Sequence, residues 1–210
     1  MQATDAIFSI AILLMSVVIH EISHGFVAEY FGDNTARNAG RLTLNPIKHL
    51  DLFGSIILPA VLFLSTMATG HPFIVGWAKP VPYNPNNLTN KKWGTVAVAG
   101  AGILANLFIA VLFGLLIRFS VGFDLPASFY FIISSIVVIN LALAIFNLIP
   151  IPPLDGSKIL FEILPKSFYP TVRFIEQYSF IFLIVFIVFF SDYLFPVMAY
   201  LFHFITGLSI

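Results

Sequence analysis

Long apolar runs separated by short polar segments dominate this chain. A helix that crosses a bilayer needs about 20 consecutive apolar residues, and the runs at 6–31, 96–119 and 129–148 reach that length. A fourth run, at 52–68, is only marginally long. The pattern therefore predicts an all-α polytopic membrane protein, a bundle of about 5–6 transmembrane or membrane-inserted helices.

Prolines mark where this helical pattern stops. The four prolines between residues 70 and 93 predict an extended loop, with a β-hairpin and a re-entrant segment as alternatives. A second cluster, Pro150, Pro152 and Pro153, separates the span at 129–148 from a short helix predicted over 155–164. Both breaks place irregular backbone between apolar helices.

The C-terminal tail, 174–207, is harder to interpret. The run at 174–190 is long enough to cross a membrane, whereas 193–205 is short. A hairpin and a kinked pair near Pro196 both fit, so the number of crossings in the tail stays open.

Composition indicates lipid as the surrounding solvent. Hydrophobic residues make up 59% of the 210 residues and charged residues only 10%, against about 25% charged in soluble domains. The net charge is zero, so binding to nucleic acid through its phosphates is not expected.

We expect one membrane-embedded domain over 1–210, with a core at 6–165. The first apolar run should be a retained helix, because no basic residue precedes it as in a signal peptide.

The sequence HEISH at 20–24 carries the first candidate chemistry. His20 and His24 are four residues apart, so on a helix they share one face and can bind one metal ion. Glu21 lies beside that face, suited to take a proton from water and pass it to a leaving amine. A packed His and Glu pair, as in a transporter relay, is the alternative. Ionisable groups inside an apolar helix are costly, however, and mark a functional site by default.

A catalytic zinc ion takes three protein ligands and leaves one position open. The chain has no cysteine, so the third ligand must be a histidine or a carboxylate. Asp155 follows a proline-rich break and precedes Gly156, which permits close backbone approach. From these residues alone, an N-cap at the start of the next helix is the simpler interpretation of Asp155. The other candidates are His49 and His71 in predicted aqueous loops, His203 in the tail, and Glu29 on the same helix as the histidine pair.

Two segments together resemble the site-2 protease family of intramembrane metalloproteases, peptidase family M50. Residues 20–24 match its HExxH helix, and NLIPIPPLDG at 147–156 matches its NxxPxPxLDG segment. The resemblance implies that His20, His24 and Asp155 bind one zinc ion and that Glu21 is the catalytic base. It extends from residue 7 to about 163, including GWAKPVP at 76–82 as in short bacterial and archaeal members, and implies the compact form without a PDZ or CBS domain.

A third segment, AGILAN at 101–106, is similar to the family's AGPLxN, with Ile103 in place of proline. Asn106 is then a candidate to donate to the developing oxyanion or to hold the substrate backbone, with interhelical packing as the alternative. Asn140 and Asn147 are seven residues apart on one helix face. They are candidates for substrate positioning, subject to the same alternative.

The resemblance implies an intramembrane zinc endopeptidase that cleaves transmembrane protein or peptide substrates within the cell membrane. If the metal ligands share one depth and 52–68 dips into the bilayer and returns, nine of the ten Lys and Arg lie on the metal-proximal side. The positive-inside tendency assigns that side to the cytoplasm. A transporter or channel and a catalytically silent zinc-binding scaffold are the alternative functions. No feature indicates an oligomeric state.

Overall fold

The computed structural model describes residues 3–51, 54, 57, 78–120 and 122–209. Most of these residues are helical and none lies in a β-strand, which confirms the predicted all-α class. The helices are α1 (Ala3–Tyr30), α2 (Thr35–Asn38), α3 (Lys91–Ser120), α4 (Ala127–Leu148), α5 (Asp155–Ile163), α6 (Tyr169–Gln177), α7 (Ser179–Phe190) and α8 (Leu194–Thr206). Short 3₁₀ turns lie at Pro46–His49, Pro85–Asn87, Lys166–Phe168 and Ser191–Tyr193.

Three of the described helices are long and apolar enough to cross a membrane: Ile7–Tyr30 within α1, all of α3 and all of α4. Helices α6 and α7 are bent by 72° at their junction and form a fourth candidate if they are one span. Large apolar side chains such as Phe108 and Phe119 are exposed by 67% and 73%. Lipid can cover such a surface, whereas water would leave a very large apolar patch exposed.

Helix α3 lies at the centre of the bundle and packs against α1, α4, α5 and α8. Gly114 lets α8 approach closely, because a Cβ there would lie 2.4 Å from Cγ2 of Ile205. Since α3 contacts both α1 and α5, it fixes the two parts of the candidate site relative to each other. The buried core between α3, α4 and α8 consists of Ala110, Ile117, Ile133, Val137, Leu141, Phe202 and Ile205.

Asp33 connects the polar end of α1 to the segment that precedes α3. Its buried carboxylate accepts hydrogen bonds from the backbone N–H of Asn84 at 2.6 Å, from Nδ2 of Asn87 at 2.8 Å and from the Thr35 hydroxyl. Burial alone would raise the pKa of Asp33, but these hydrogen bonds outweigh it and lower the pKa below its ordinary value. The ends of α1 and α3 are therefore held together by a charged group.

The predicted spans agree with α1, α3 and α4, with ends that differ by a few residues. Helix α3 already begins at Lys91, so the irregular segment ends before residue 93. Residues 78–84 have no regular secondary structure, as the prolines predict. The predicted dip at 52–68, apart from Gly54 and Ile57, and the first part of the loop, 70–77, lie outside the described residues.

The tail contains two breaks between its helices. A break occurs at Ser191–Tyr193, just before Pro196, as expected. A second break lies at Tyr178, inside the run at 174–190 that is long enough to cross a membrane. Helix α6 contains Arg173 and Glu176, whereas α7 has no charged residue, so the two halves suit different surroundings. The tail is thus a bent pair followed by α8.

Candidate metal centre

Helix α1 carries the paired histidines. His20 and His24 lie one turn apart, with their rings edge to face and the ring centroids 4.6 Å apart. Both side chains are buried. His24 precedes the end of α1 at Tyr30 by six residues, which places it about 9 Å inside that end of the helix. Two imidazoles are therefore held side by side within an apolar span.

Asp155 is brought to these histidines by the start of α5. Its Oδ2 lies 3.1 Å from Nε2 of His20 and 3.1 Å from Nε2 of His24. Gly156 makes this approach possible, because a Cβ there would lie 2.1 Å from the carbonyl oxygen of Leu148. The N-cap residue of α5 is Leu154. The interpretation of Asp155 as a plain N-cap is therefore wrong.

The geometry of the three side chains suits one divalent cation. One ligand atom from each of His20, His24 and Asp155 lies within 4.8 Å of the others. With metal–ligand bonds of about 2.0–2.2 Å, the ligand atoms of a tetrahedral zinc site are roughly 3.3–3.6 Å apart. The observed 3.1 Å separations are close to this value. Two nitrogens and one oxygen also leave the fourth position open, as catalytic zinc requires.

Hydrogen bonds at the opposite ring nitrogens show which nitrogen is free to bind a metal. Nδ1 of His24 lies 2.6 Å from the carbonyl oxygen of Val98. That oxygen can only accept, so His24 carries a proton on Nδ1. Nδ1 of His20 lies 3.1 Å from Oδ1 of Asn106, which also accepts. In the neutral rings, both Nε2 lone pairs therefore face the carboxylate of Asp155.

Lone pairs that face a carboxylate repel it unless a cation lies between them. The alternative is that one ring is protonated on Nε2 as well and forms an ion pair with Asp155. The second ring would still direct a lone pair at the carboxylate, because two adjacent imidazolium ions repel each other. The arrangement therefore suits a bound cation.

Helix α3 shapes the other side of the pocket at Gly102 and Asn106. A Cβ at Gly102 would lie 2.5 Å from Cε1 of His20 and 2.7 Å from each of its ring nitrogens. Only glycine lets the His20 ring lie against α3. Asn106 is fully buried, and its Nδ2 has no hydrogen-bond partner among the described residues. The amide thus orients His20 and keeps one donor unused.

Glu21 is half-buried beside the ligands. Its Oε2 accepts a hydrogen bond of 2.8 Å from the backbone N–H of Val81, in the irregular segment at 78–84. Within the described part of the chain, its other carboxylate oxygen has no donor. One oxygen is thus fixed by the protein, and the other is left to contact a water molecule.

Sequence reasoning missed three groups around this centre. Lys158 donates from Nζ to Oδ1 of Asp155 at 2.9 Å, which holds the carboxylate with Oδ2 toward the histidines. Its position three residues after Asp155, on the same helix, could have indicated this contact. The carbonyl of Val98 and the N–H of Val81 are backbone groups, for which residue identity gives no signal.

The remaining candidates lie elsewhere. Nδ2 of Asn140 donates to Oγ of Ser16 and to the carbonyl of Ile136, each at 2.9 Å. Nδ2 of Asn147 donates to the carbonyl of Leu143. Neither amide is hydrogen-bonded to a proposed ligand in the described structure. The other described candidates for the third metal ligand also have other partners. A ring nitrogen of His49 is within hydrogen-bond distance of the Thr43 carbonyl, and one of His203 is within that distance of the Leu208 carbonyl. Glu29 forms an ion pair with Arg37, and His71 lies outside the described residues.

Comparison with known proteins agrees with this chemistry. The sequence model of peptidase family M50 matches residues 8–137 and 125–190. The chain is 38% identical over 184 residues to YwhC of Bacillus subtilis, provisionally named a zinc metalloprotease, covering 83% of this chain and 78% of YwhC. It is 36% identical over 152 residues to Rip2 of Mycolicibacterium smegmatis, provisionally named likewise, covering 71% of this chain and 54% of Rip2. No solved structure matches the chain.

Proposed function

Because this chain belongs to the site-2 protease family, peptidase family M50, we propose that it is an intramembrane zinc endopeptidase. The observation that carries the proposal is the convergence of His20, His24 and Asp155, with both Nε2 lone pairs facing inward. The names of YwhC and Rip2 support zinc as the metal and peptide hydrolysis as the reaction.

The roles of the residues follow from their positions. His20, His24 and Asp155 would hold one zinc ion, which when bound would polarise the scissile carbonyl and a water molecule. Glu21 takes a proton from that water through the carboxylate oxygen that Val81 leaves free, and returns it to the leaving amine. Asn106 keeps His20 in the tautomer that offers Nε2 to the metal.

The proposed substrates are transmembrane proteins or peptides in the surrounding bilayer. A substrate helix buries its amides in its own hydrogen bonds, so it must unwind before hydrolysis. The unused Nδ2 of Asn106 is a donor for the developing oxyanion or for an unwound substrate backbone. Substrate positioning by Asn140 and Asn147 stays a prediction.

Strand addition to an extended loop is one way to hold an unwound substrate. In the segment at 79–81, the N–H groups of Lys79 and Val81 already bond to His49 and Glu21. The carbonyls of Lys79 and Pro80 already accept from Arg41. Residues 79–81 therefore offer little free edge to a substrate.

We place the protein in the cell membrane, with the metal centre toward the cytoplasm, because of the positive-inside tendency. The absence of cysteine allows a direct test. Single variants Lys48→Cys and Phe123→Cys put a thiol at exposed positions on opposite sides of the proposed topology. A membrane-impermeant maleimide added to intact cells should label Phe123→Cys only, and the reverse pattern contradicts the orientation.

Hydrolysis and metal content together separate this function from a channel or a silent scaffold. Purified protein in detergent should cleave a transmembrane peptide, and a chelator should stop the cleavage. Glu21→Gln should retain zinc and lose cleavage by roughly 10²-fold or more. Asp155→Ala should instead lose bound zinc. Wild-type cleavage by Glu21→Gln, or full zinc retention by Asp155→Ala, contradicts the assigned role.

A further inference from the structure

Arg41 is a buried cation that no described carboxylate neutralises. It follows α2, and the residue is only 8% exposed. Its Nη2 donates to the carbonyl of Lys79 at 2.7 Å and to the carbonyl of Pro80 at 3.3 Å. An arginine buried at such cost, with its charge directed at two backbone carbonyls, indicates that the position of those carbonyls matters.

The Pro80 carbonyl belongs to the same peptide unit as the Val81 N–H. Arg41 therefore contacts one end of the Pro80–Val81 peptide, and the Glu21 carboxylate accepts from the other end at 2.8 Å. Hydrogen bonds to charged groups are stronger than neutral ones, and bonds in a chain polarise each other. One planar unit thus connects a buried cation to the proposed catalytic base.

The surrounding sequence makes this peptide a rigid connection. Val81 stands between two prolines, which restrict the backbone and carry no N–H, so Val81 has the only N–H in 80–82. The Val81 side chain is buried against α1, where a Cβ at Gly25 would lie 2.9 Å from Cγ1 of Val81. The N–H of Lys79 donates to the carbonyl of His49 at 2.9 Å, which fixes the segment from the other side.

We propose that Arg41 is a positioning residue for Glu21, acting through the Pro80–Val81 peptide. Arg41 holds the peptide plane, the Val81 N–H holds one oxygen of Glu21, and the other oxygen stays directed to the reacting water. This inference rests on the proposed function in that Glu21 is taken as the base. It adds a residue that lies outside all the motifs of the sequence.

The first experiment compares Arg41→Gln with Lys48→Gln. Lys48 is the control, because it lies in the same polar segment as Arg41 and its Nζ donates to a backbone carbonyl, that of Gly40, without contacting residues 79–81. Arg41→Gln should lower kcat by roughly 10- to 100-fold and leave KM and zinc affinity unchanged. Arg41→Lys should recover part of the lost kcat, and Lys48→Gln should match the wild type. A wild-type kcat in Arg41→Gln, or parallel losses in kcat and zinc affinity, overturns the proposal.

The second experiment tests the peptide itself without altering Arg41. Val81→Pro removes the N–H, whereas Val81→Ala keeps it and removes side-chain packing. Only Val81→Pro should lower kcat to the level of Arg41→Gln, and the double variant Arg41→Gln with Val81→Pro should be no slower than either single variant. Additive losses, or equal losses in both Val81 variants, show that Arg41 does not act through this N–H.

A measurement on metal-free protein separates this inference from the proposed activity. Hydrogen–deuterium exchange at the Val81 amide should be slow in the wild type and in Lys48→Gln, and at least about tenfold faster in Arg41→Gln. If no peptide is cleaved under any condition, the proposed function fails, yet this exchange pattern would still support the connection from Arg41 to Glu21. Equal exchange in all three proteins overturns the connection whatever the activity.

Discussion

Gly102 provides a sharp test of how the proposed metal centre is packed, because a methyl group added there would collide with His20, a proposed ligand. A Cβ at this position would lie 2.5 Å from Cε1 of His20, where ordinary contacts begin near 3.4 Å. The His20 ring must therefore move by about 0.9 Å, or α3 must move away from α1. Metal–ligand distances tolerate only about 0.2 Å.

We expect Gly102→Ala to bind zinc roughly 10- to 100-fold more weakly, the range found when a group that orients a metal ligand is removed. This corresponds to about 1.4–2.7 kcal/mol of binding free energy. The assay is competition between the purified apoprotein in detergent and a chromophoric zinc chelator. Cleavage should fall in parallel when zinc is limiting and recover in part when zinc is in excess.

Gly100 supplies the matched control on the same helix, because a Cβ there meets nothing within 4 Å. Replacing a helical glycine by alanine adds roughly 0.5–1 kcal/mol of helix stability, so Gly100→Ala should unfold at the wild-type temperature or higher and bind zinc normally. If Gly102→Ala binds zinc as tightly as Gly100→Ala does, His20 does not lie against α3 in the metal-bound protein.

Three further outcomes follow from individual contacts. Asn106→Ala should weaken zinc binding by about 10- to 100-fold in the same competition assay, because His20 loses the acceptor that fixes its tautomer; unchanged affinity would remove Asn106 from that role. Metal removal should lower the unfolding temperature, since zinc at 100 times its dissociation constant adds about 2.7 kcal/mol of stability. Asp33→Asn should cost about 1–2 kcal/mol at pH 7 by weakening the hydrogen bonds from Asn84 and Asn87. Because folding lowers the pKa of Asp33, the carboxylate stabilises the fold above the unfolded pKa of about 4 and this contribution is lost as pH falls through the lower, folded value. The difference in unfolding temperature between wild type and Asp33→Asn should therefore narrow toward acid pH, and a constant difference contradicts the assignment.

The sequence predicts those parts of the fold and site that depend on residue type at short spacing. Apolar runs locate α1, α3 and α4, and the spacing of His20 and His24 places both rings on one face. The position of Asp155 could not be predicted from residue type and spacing, because the residues around it favoured an N-cap. Only the combined resemblance to a family indicated that this carboxylate turns back to α1.

Contacts made by backbone groups cannot be predicted from the type of the residue that makes them. Any residue at position 98 would present the carbonyl that accepts from His24, and any residue except proline at 81 would present the N–H that holds Glu21. The bend at Tyr178 is hidden for a related reason. Hydropathy reports how apolar a run is, and it does not locate the 72° bend between α6 and α7.

A single stripe of α3 organises the histidine pair, and its spacing explains why the AGILAN segment accompanies the HExxH helix. Val98, Gly102 and Asn106 are four residues apart in turn, so they lie along one face of α3. The carbonyl of Val98 accepts from His24, whereas Gly102 and Asn106 contact His20. From His20 to His24 the residue number rises along α1, whereas the number of the contacted residue on α3 falls. The two helices therefore run antiparallel. Because α1 and α3 are both candidate membrane spans, this pairing would set the depth of the proposed metal centre in the bilayer. Asp155 reaches the same depth only because the proline-rich break lets the chain start α5 there.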